Sequence, residues 1–233
     1  MQLIDLAERA DDENRFDLYL AQLCEEFELD DASYATTNLL TGDVTGYATY
    51  RMDWRQHYGE LGLHEIDPTL YQSARSVAPV DWSRFRRDDS FAKVFENARD
   101  FGITDRGLTV PVRGPYGDCG LLSITRDCGD DEWAKLKAKI MGNLQMAAVH
   151  IHDAVASSGL LFSTLGRTSL SSREAEILQW IAMGKTQSEI GDLLTISTRT
   201  VEVHLRSART KLSALTTPQA VGRGILYGII EPG

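Results

Sequence analysis

The chain has 233 residues, 42% of them hydrophobic and 25% charged, with a formal net charge of −10. That size buries one large or two modest cores, and no apolar run reaches the roughly 18 residues of a membrane-spanning helix. So acidic a protein does not bind phosphates over its whole surface, and nucleic-acid contact is confined to a locally basic segment. Residues 163–233 are that segment: they hold eight Lys and Arg against six Asp and Glu, while the remainder holds sixteen against twenty-eight. Cys24, Cys119 and Cys128 are too few and too scattered for a disulfide framework and lack metal-ligand spacing, so a reducing cytoplasm is the expected location. The acidic, amphipathic start of the chain does not read as a signal peptide.

Residues 3–29 are predicted to form a helix, with Leu3, Leu6, Ala7, Phe16, Leu20, Leu23 and Phe27 at helical spacing. Ser33–Leu40 and Val44–Tyr50 are strand-like and flank Thr41-Gly42-Asp43, a hairpin turn. Trp54–Leu63 reads as helical or irregular, and Asp67-Pro68 starts a further segment because proline suits the first turn of a helix. Ser90–Phe101 buries Phe91, Val94, Phe95 and Ala98 and stops at Gly102. Leu108–Val112 and Cys119–Arg126 are strands around Gly114-Pro115-Tyr116-Gly117. A long helix covers about Asp131–Val155, with Trp133, Leu136, Ile140, Leu144, Ala147 and Ile151 in line. This order implies an α/β/α sandwich around an antiparallel sheet over residues 1–158, then a Ser/Gly/Ala-rich linker at 159–168.

Residues 169–233 read as an all-α, four-helix unit with a helix-turn-helix. Ser171 and Glu174, like Thr186 and Glu189, have the spacing of capping boxes, and Ser197 or Thr198 caps a third helix. Gly184 ends the first helix, since glycine enters the left-handed cap conformation freely. The third helix buries Val201, Leu205, Ala208 and Leu212 and presents Arg199, Thr200, Val203, Arg206, Arg209 and Thr210 outward. A helix with arginines and small side chains on one face fits the major groove. The fourth starts at Thr217-Pro218 and runs to about Tyr227.

Several of these residues occur in a specific order. Glu174, Leu178, Gly184-Lys185-Thr186, Glu189-Ile190, Ile196-Ser197, Thr200-Val201, His204 and Lys211-Leu212 together resemble the LuxR-type DNA-binding domain. Gly191 departs from it, standing where alanine is usual, which implies a second helix looser by up to roughly 1 kcal/mol.

In the first domain, Tyr50, Trp54 and Tyr58 recur every four residues, followed by Asp67-Pro68-Thr69, Trp82, Gly107-Leu108-Thr109, Pro111 and Ser123. Each has an ordinary structural reading: aromatic core stripe, helix cap, domain-edge cover, tolerated strand hydroxyl. As a set they resemble the autoinducer-binding domain of the same family, nearest to the subgroup that recognises long-chain N-acyl-homoserine lactones. The resemblance implies that Trp54 donates to the lactone carbonyl and that Asp67 accepts from the ligand amide N–H. It implies that Tyr50 and Ser123 donate to the amide carbonyl, that Trp82 packs over the lactone ring and that Tyr58 lines the acyl tunnel. Arg55 is expected to reach a 3-oxo group through water, with Thr69 and Thr109 as polar edges. Arg87 stands where that subgroup often has an aromatic residue.

The resemblance implies a cytoplasmic quorum-sensing transcription regulator without metal or other cofactor, binding a roughly palindromic promoter site as a homodimer, with RNA polymerase as a further partner. Met141 and Ala148 on the long helix, and Val221, Ile225 and Leu226 on the last, are the expected dimer surfaces. Catalysis is disfavoured: Ser123 lies in no Gly-x-Ser-x-Gly elbow and the histidines form no metal motif. His150 and His152, two apart on a helix, are expected on different faces. Two alternatives stand beside the lactone reading: a response to a different small molecule, and a phosphorylation-driven response regulator.

Overall fold

In β1 (Asp31–Thr37), Ala32, Tyr34 and Thr36 turn to one face and are buried, while Ser33 and Ala35 turn to the other. The computed structural model describes residues 14–37, 44–114, 118–158 and 170–231. These fall into two compact units, one ending at Ser158 and one starting at Leu170.

The first unit is built on a five-stranded antiparallel sheet of β1, β2 (Val44–Ala48), β3 (Val80–Asp81), β4 (Gly107–Arg113) and β5 (Cys119–Thr125), in the order β2-β1-β5-β4-β3. Pairing sets Tyr34 opposite Leu122 and Leu122 opposite Val110, so these share a face. Helices α1 (Arg15–Phe27) and α5 (Asp130–Ser157) pack on that face. The opposite face carries α2 (Met52–Glu60), α3 (Pro68–Tyr71), α4 (Asp89–Asp100) and short 3-10 turns, with a core of Trp54, Leu63, Trp82, Phe85, Phe91 and Phe95. The expected α/β/α sandwich is therefore observed. Asp88 caps α4, and Gly102 follows it at φ 78°.

Several expectations fall outside the described residues: the helix before Arg15, both hairpin turns and the 159–168 linker. In this unit one expectation is corrected. Ala148 is fully buried, because α5 covers the sheet with Ala147 and Ala148 side by side, and Met146 and Val149 are the exposed large apolar residues of that helix.

The second unit holds α6 (Ser172–Ala182), α7 (Gln187–Leu194), α8 (Thr198–Lys211) and α9 (Thr217–Leu226) around Ile177, Leu178, Ile190, Val201, Leu205 and Leu212. Both capping boxes form, Ser197 caps α8, and Gly184 stands at φ 81°. Thr216, rather than Thr217, caps α9, which puts Pro218 at its second position. Val221 and Ile225 lean on the core instead of standing free. At Gly191 a Cβ would lie 2.9 Å from the Ile196 carbonyl oxygen, so glycine lets α7 approach the turn closely.

Candidate functional site

Between the sheet and α2–α4 lies a cavity of about 310 Å³, at the small end of the ligand-pocket range. Tyr50, Trp54, Arg55, Tyr58, Asp67, Thr69 and Trp82 border it, with Leu70, Val94, Phe95, Ala98 and Ile103 as apolar walls. Thr109 and Ser123 do not border it; they are buried in the sheet beside Trp82.

Helical spacing on α2 points Trp54 and Tyr58 the same way, with ring centroids 5.5 Å apart. Asp67 serves two elements. Its Oδ1 accepts from the Thr69 backbone N–H at 2.7 Å, capping α3, and its Oδ2 accepts from the Tyr58 hydroxyl at 2.8 Å. Each carboxylate oxygen has two lone pairs, so acceptor capacity is left over. Burial raises the Asp67 carboxyl above its ordinary range, against the lowering effect of these bonds. Burial also raises the Tyr58 and Tyr50 phenols, which therefore stay protonated and able to donate. Among the described residues the Trp54 indole N–H has no hydrogen-bond partner.

Trp82 differs. Its indole N–H donates to Thr109 Oγ1 at 2.8 Å, and Thr109 Oγ1 lies 2.8 Å from Ser123 Oγ. Its ring covers Gly107, where any Cβ would overlap it. Ser33, Ser123 and Thr109 face one another across β1, β5 and β4. A row of hydroxyls thus crosses the cavity face of the sheet. The cavity combines one buried acceptor, an indole donor, phenol donors and aromatic walls; it suits a small amphiphile with an amide or ester head. Arg87 is held away from it, paired to Asp105 at 2.6 Å and stacked 4.1 Å over the Phe91 ring.

Sequence reasoning missed several polar groups. Ser33, Tyr47 and His64 border the cavity without any local motif. On the other face of the sheet, His152 Nδ1 lies 2.6 Å from the Tyr34 hydroxyl and its Nε2 lies 2.9 Å from Asp118. The spacing of His150 and His152 did signal different faces, and His152 is the buried one. Asp81, just before Trp82, accepts from Trp133 at 3.1 Å and from Lys137, tying that turn to α5.

In the second unit, Arg199, Val203, Arg206 and Thr210 are exposed on α8, and Thr200 and Arg209 are half-buried. Thr200 shares its hydroxyl with the Ser197 cap, and Arg206 pairs with Glu202 at 3.1 Å. Glu174 does more than complete its capping box: it also accepts from Ser207 and Lys211 of α8, both at 2.7 Å. Those bonds hold its carboxyl at about 2 against the opposing effect of burial.

Residues 12–155 match the family described as autoinducer binding domain, and residues 168–222 match bacterial regulatory proteins, luxR family. The transcriptional activator protein RaiR of Rhizobium etli is 31% identical over 221 residues, covering 94% of this chain and 89% of its own. The relative y4qH of Sinorhizobium fredii is 31% identical over 204 residues; the match covers 86% of this chain and only 61% of that longer relative. SdiA, an Escherichia coli protein solved in complex with octanoyl-rac-glycerol, superposes with a TM-score of 0.74 at 25% identity over 97% of both chains. Both domains, in this order, make the chain a member of the LuxR family of autoinducer-binding transcriptional regulators, a family of DNA-binding proteins and not of enzymes.

Proposed function

We propose that the autoinducer is an N-acyl-homoserine lactone with a long acyl chain, and that it controls a cytoplasmic, homodimeric regulator of quorum sensing. The observation that supports this most is Asp67: a buried carboxylate, 7% exposed, on the lining of a cavity that Trp54 also borders, its indole N–H without a hydrogen-bond partner among the described residues. The ligand amide N–H donates to Asp67, and the lactone carbonyl accepts from Trp54. Tyr50 donates to the amide carbonyl, while Ser123 and Thr109, off the cavity lining, form the pair that holds the Trp82 indole. Trp82 covers the lactone ring, and Thr69 completes the polar edge. The tail runs past Tyr58 and Phe95, with Arg55 beside it. A buried polar atom left unpaired costs about 1–3 kcal/mol, so a pocket with this donor and acceptor set favours a head that satisfies it.

The DNA-reading face comprises Arg199, Thr200, Val203, Arg206, Arg209 and Thr210, placed by α8 in the major groove of a roughly palindromic site. Met146 and Val149 on α5 contribute to the dimer. RNA polymerase is a further partner of the DNA-bound form. Domain limits of 1–158 and 169–233 with a linker at 159–168 accompany this reading. A phosphorylated receiver is set aside, since residues 12–155 match an autoinducer domain.

A second reading has its own support: SdiA was solved with an acyl glycerol, an acyl chain on a different polar head. Mass spectrometry of small molecules extracted from the purified protein separates the two. A lactone mass supports the first reading, an acyl-glycerol mass the second, and sedimentation with and without ligand and DNA tests the dimer.

A further inference from the structure

The first unit contains Trp54, Trp82 and Trp133, and two of these are held by their own indole N–H. Trp82 donates to Thr109 Oγ1 at 2.8 Å, and Trp133 donates to Asp81 Oδ2 at 3.1 Å. Trp54 is buried on the cavity lining, and among the described residues no group of the protein takes its indole N–H. The angle of its ring is therefore set by what flanks the ring. On a helix the residues three and four positions on flank a given side chain. Here they are His57 and Tyr58, with ring centroids 6.1 and 5.5 Å from the indole. Phe101, at the end of α4, has its ring centroid 5.4 Å from the indole and 5.0 Å from the His57 ring. Tyr58 borders the cavity; His57 and Phe101 do not, so they back the indole from outside it.

A chain of hydrogen bonds fixes His57. Asn97 Nδ2 donates to the Lys93 carbonyl at 2.7 Å, one turn back on α4. That leaves Asn97 Oδ1 as the acceptor 2.8 Å from His57 Nε2, so Nε2 carries a hydrogen and donates it. Asn97 and Phe101 are one turn apart on the helix whose Val94 and Ala98 wall the cavity. Simple packing behind Trp54 needs only an apolar side chain at position 57. A donor matched to an oriented acceptor on another helix instead holds the imidazole at one angle, and with it the indole.

We propose that His57, locked by Asn97, is a positioning residue for ligand recognition: the pair fixes the angle at which Trp54 presents its indole N–H to a carbonyl of the ligand head. A donor set in advance binds without the cost of ordering it on association. The identity of that carbonyl, the one on the lactone ring, rests on the acyl-lactone reading of the cavity.

The test uses the folded full chain and two readouts. The first is the indole N–H signals in nitrogen–proton correlation NMR spectra without ligand, with Trp54→Phe to assign the Trp54 signal. Asn97→Leu is expected to shift or broaden that signal and to leave those of Trp82 and Trp133 in place, which also shows that the domain is folded. His57→Phe, which keeps a ring but no donor, is expected to do the same. Asn97→Asp keeps the acceptor and is expected to leave the Trp54 signal near its wild-type position. The second readout is calorimetry with N-dodecanoyl-homoserine lactone and with N-cyclopentyldodecanamide, which keeps the amide and a ring but lacks the ring carbonyl. Wild type is expected to prefer the lactone about fivefold, the worth of one hydrogen bond between neutral groups. That preference is expected to fall toward one in Asn97→Leu and His57→Phe, with the affinity for the amide unchanged, and to persist in Asn97→Asp. A Trp54 signal that stays in place in both loss variants overturns the proposal whatever the ligand is. Undiminished lactone preference in both overturns it as well and leaves the lactone reading standing. Wild type without any preference for the lactone overturns both.

Discussion

The Tyr58 hydroxyl donates to Asp67 Oδ2 at 2.8 Å while the opposite oxygen of the same carboxylate caps α3. Helix cap and ligand acceptor are therefore compatible roles for one side chain. Asn caps about as well as Asp, and its amide N–H₂ can face the Tyr58 oxygen. Asp67→Asn is expected to leave thermal stability almost unchanged yet weaken lactone binding by about one to two powers of ten, since a bond to a charged acceptor is worth about 1.5–3 kcal/mol. Equal calorimetric affinities for mutant and wild type would falsify the role of Asp67 in the pocket.

Trp54→Phe keeps the aromatic contacts to Tyr58 and Phe101 but removes the indole N–H. The expected loss of lactone affinity is smaller, about 0.5–1.5 kcal/mol, because the bond lost is between neutral groups. A loss as large as that of Asp67→Asn would place the head group elsewhere.

On α8, Arg206 is paired with Glu202, whose carboxylate shares the exposed surface. Such a surface pair adds little stability, about 0.2–1 kcal/mol. Arg206→Ala is expected to cost about 1–3 kcal/mol of DNA binding, and Arg199→Ala a comparable amount. Glu202→Gln is expected to tighten binding modestly by freeing Arg206 and removing a like charge near phosphate. DNA titrations at several salt concentrations check this: a base contact shows as lost discrimination, a phosphate contact as a smaller salt slope. Unchanged titrations in all three variants would mean that another face reads DNA.

The Glu174 carboxyl lies at about 2 in the folded protein against an ordinary 4.5. The unfolded chain binds the proton more readily, so this contribution to stability is complete above 4.5 and is lost as pH falls toward 2. Glu174→Gln is expected to destabilise the C-terminal domain by about 1.5–3 kcal/mol at neutral pH. The gap from wild type is expected to close on acidification. Denaturation curves of both proteins across that range decide it, and a gap independent of pH would assign the effect to packing alone.

His152 presents the opposite chemistry. Burial lowers its affinity for protons below the ordinary 6.5 despite the nearby Asp118. The folded state resists protonation, so stability is expected to fall as pH drops below 6.5. His152→Gln removes that part of the pH dependence. Gly120→Ala tests the same packing, because a Cβ there would overlap His152 and the Tyr34 hydroxyl. It is expected to cost about 1–3 kcal/mol, measured by urea denaturation; a silent Gly120→Ala would mean that this corner of the sheet is loosely packed.

The local grammar of the chain was legible residue by residue. Ser171 and Thr186 cap their helices because each partner lies three residues on, within reach of one side chain. Gly102 and Gly184 end helices because their left-handed backbone is a property of the residue itself. The periodic burial of α4 and α8 was legible for the same reason: it needs only a helix and one covered side. The Tyr50–Trp54–Tyr58 and Asp67-Pro68-Thr69 spacings were legible as a pattern, since local backbone geometry carries them. Contacts that cross between elements were set by how the fold packs. Strand register set Ser33 opposite Ser123 and Ser123 opposite Thr109, and no spacing along the chain encodes that register. Tyr34, Asp118 and His152 meet because α5 lies across the sheet, which is also why Ala148 is buried. Lys211 reaches Glu174 over a separation of 37 residues, and His64 comes to the cavity lining through a turn with no periodicity to announce it. A contact between distant segments depends on how their backbones are docked, and docking is set by the whole core rather than by any few neighbouring residues.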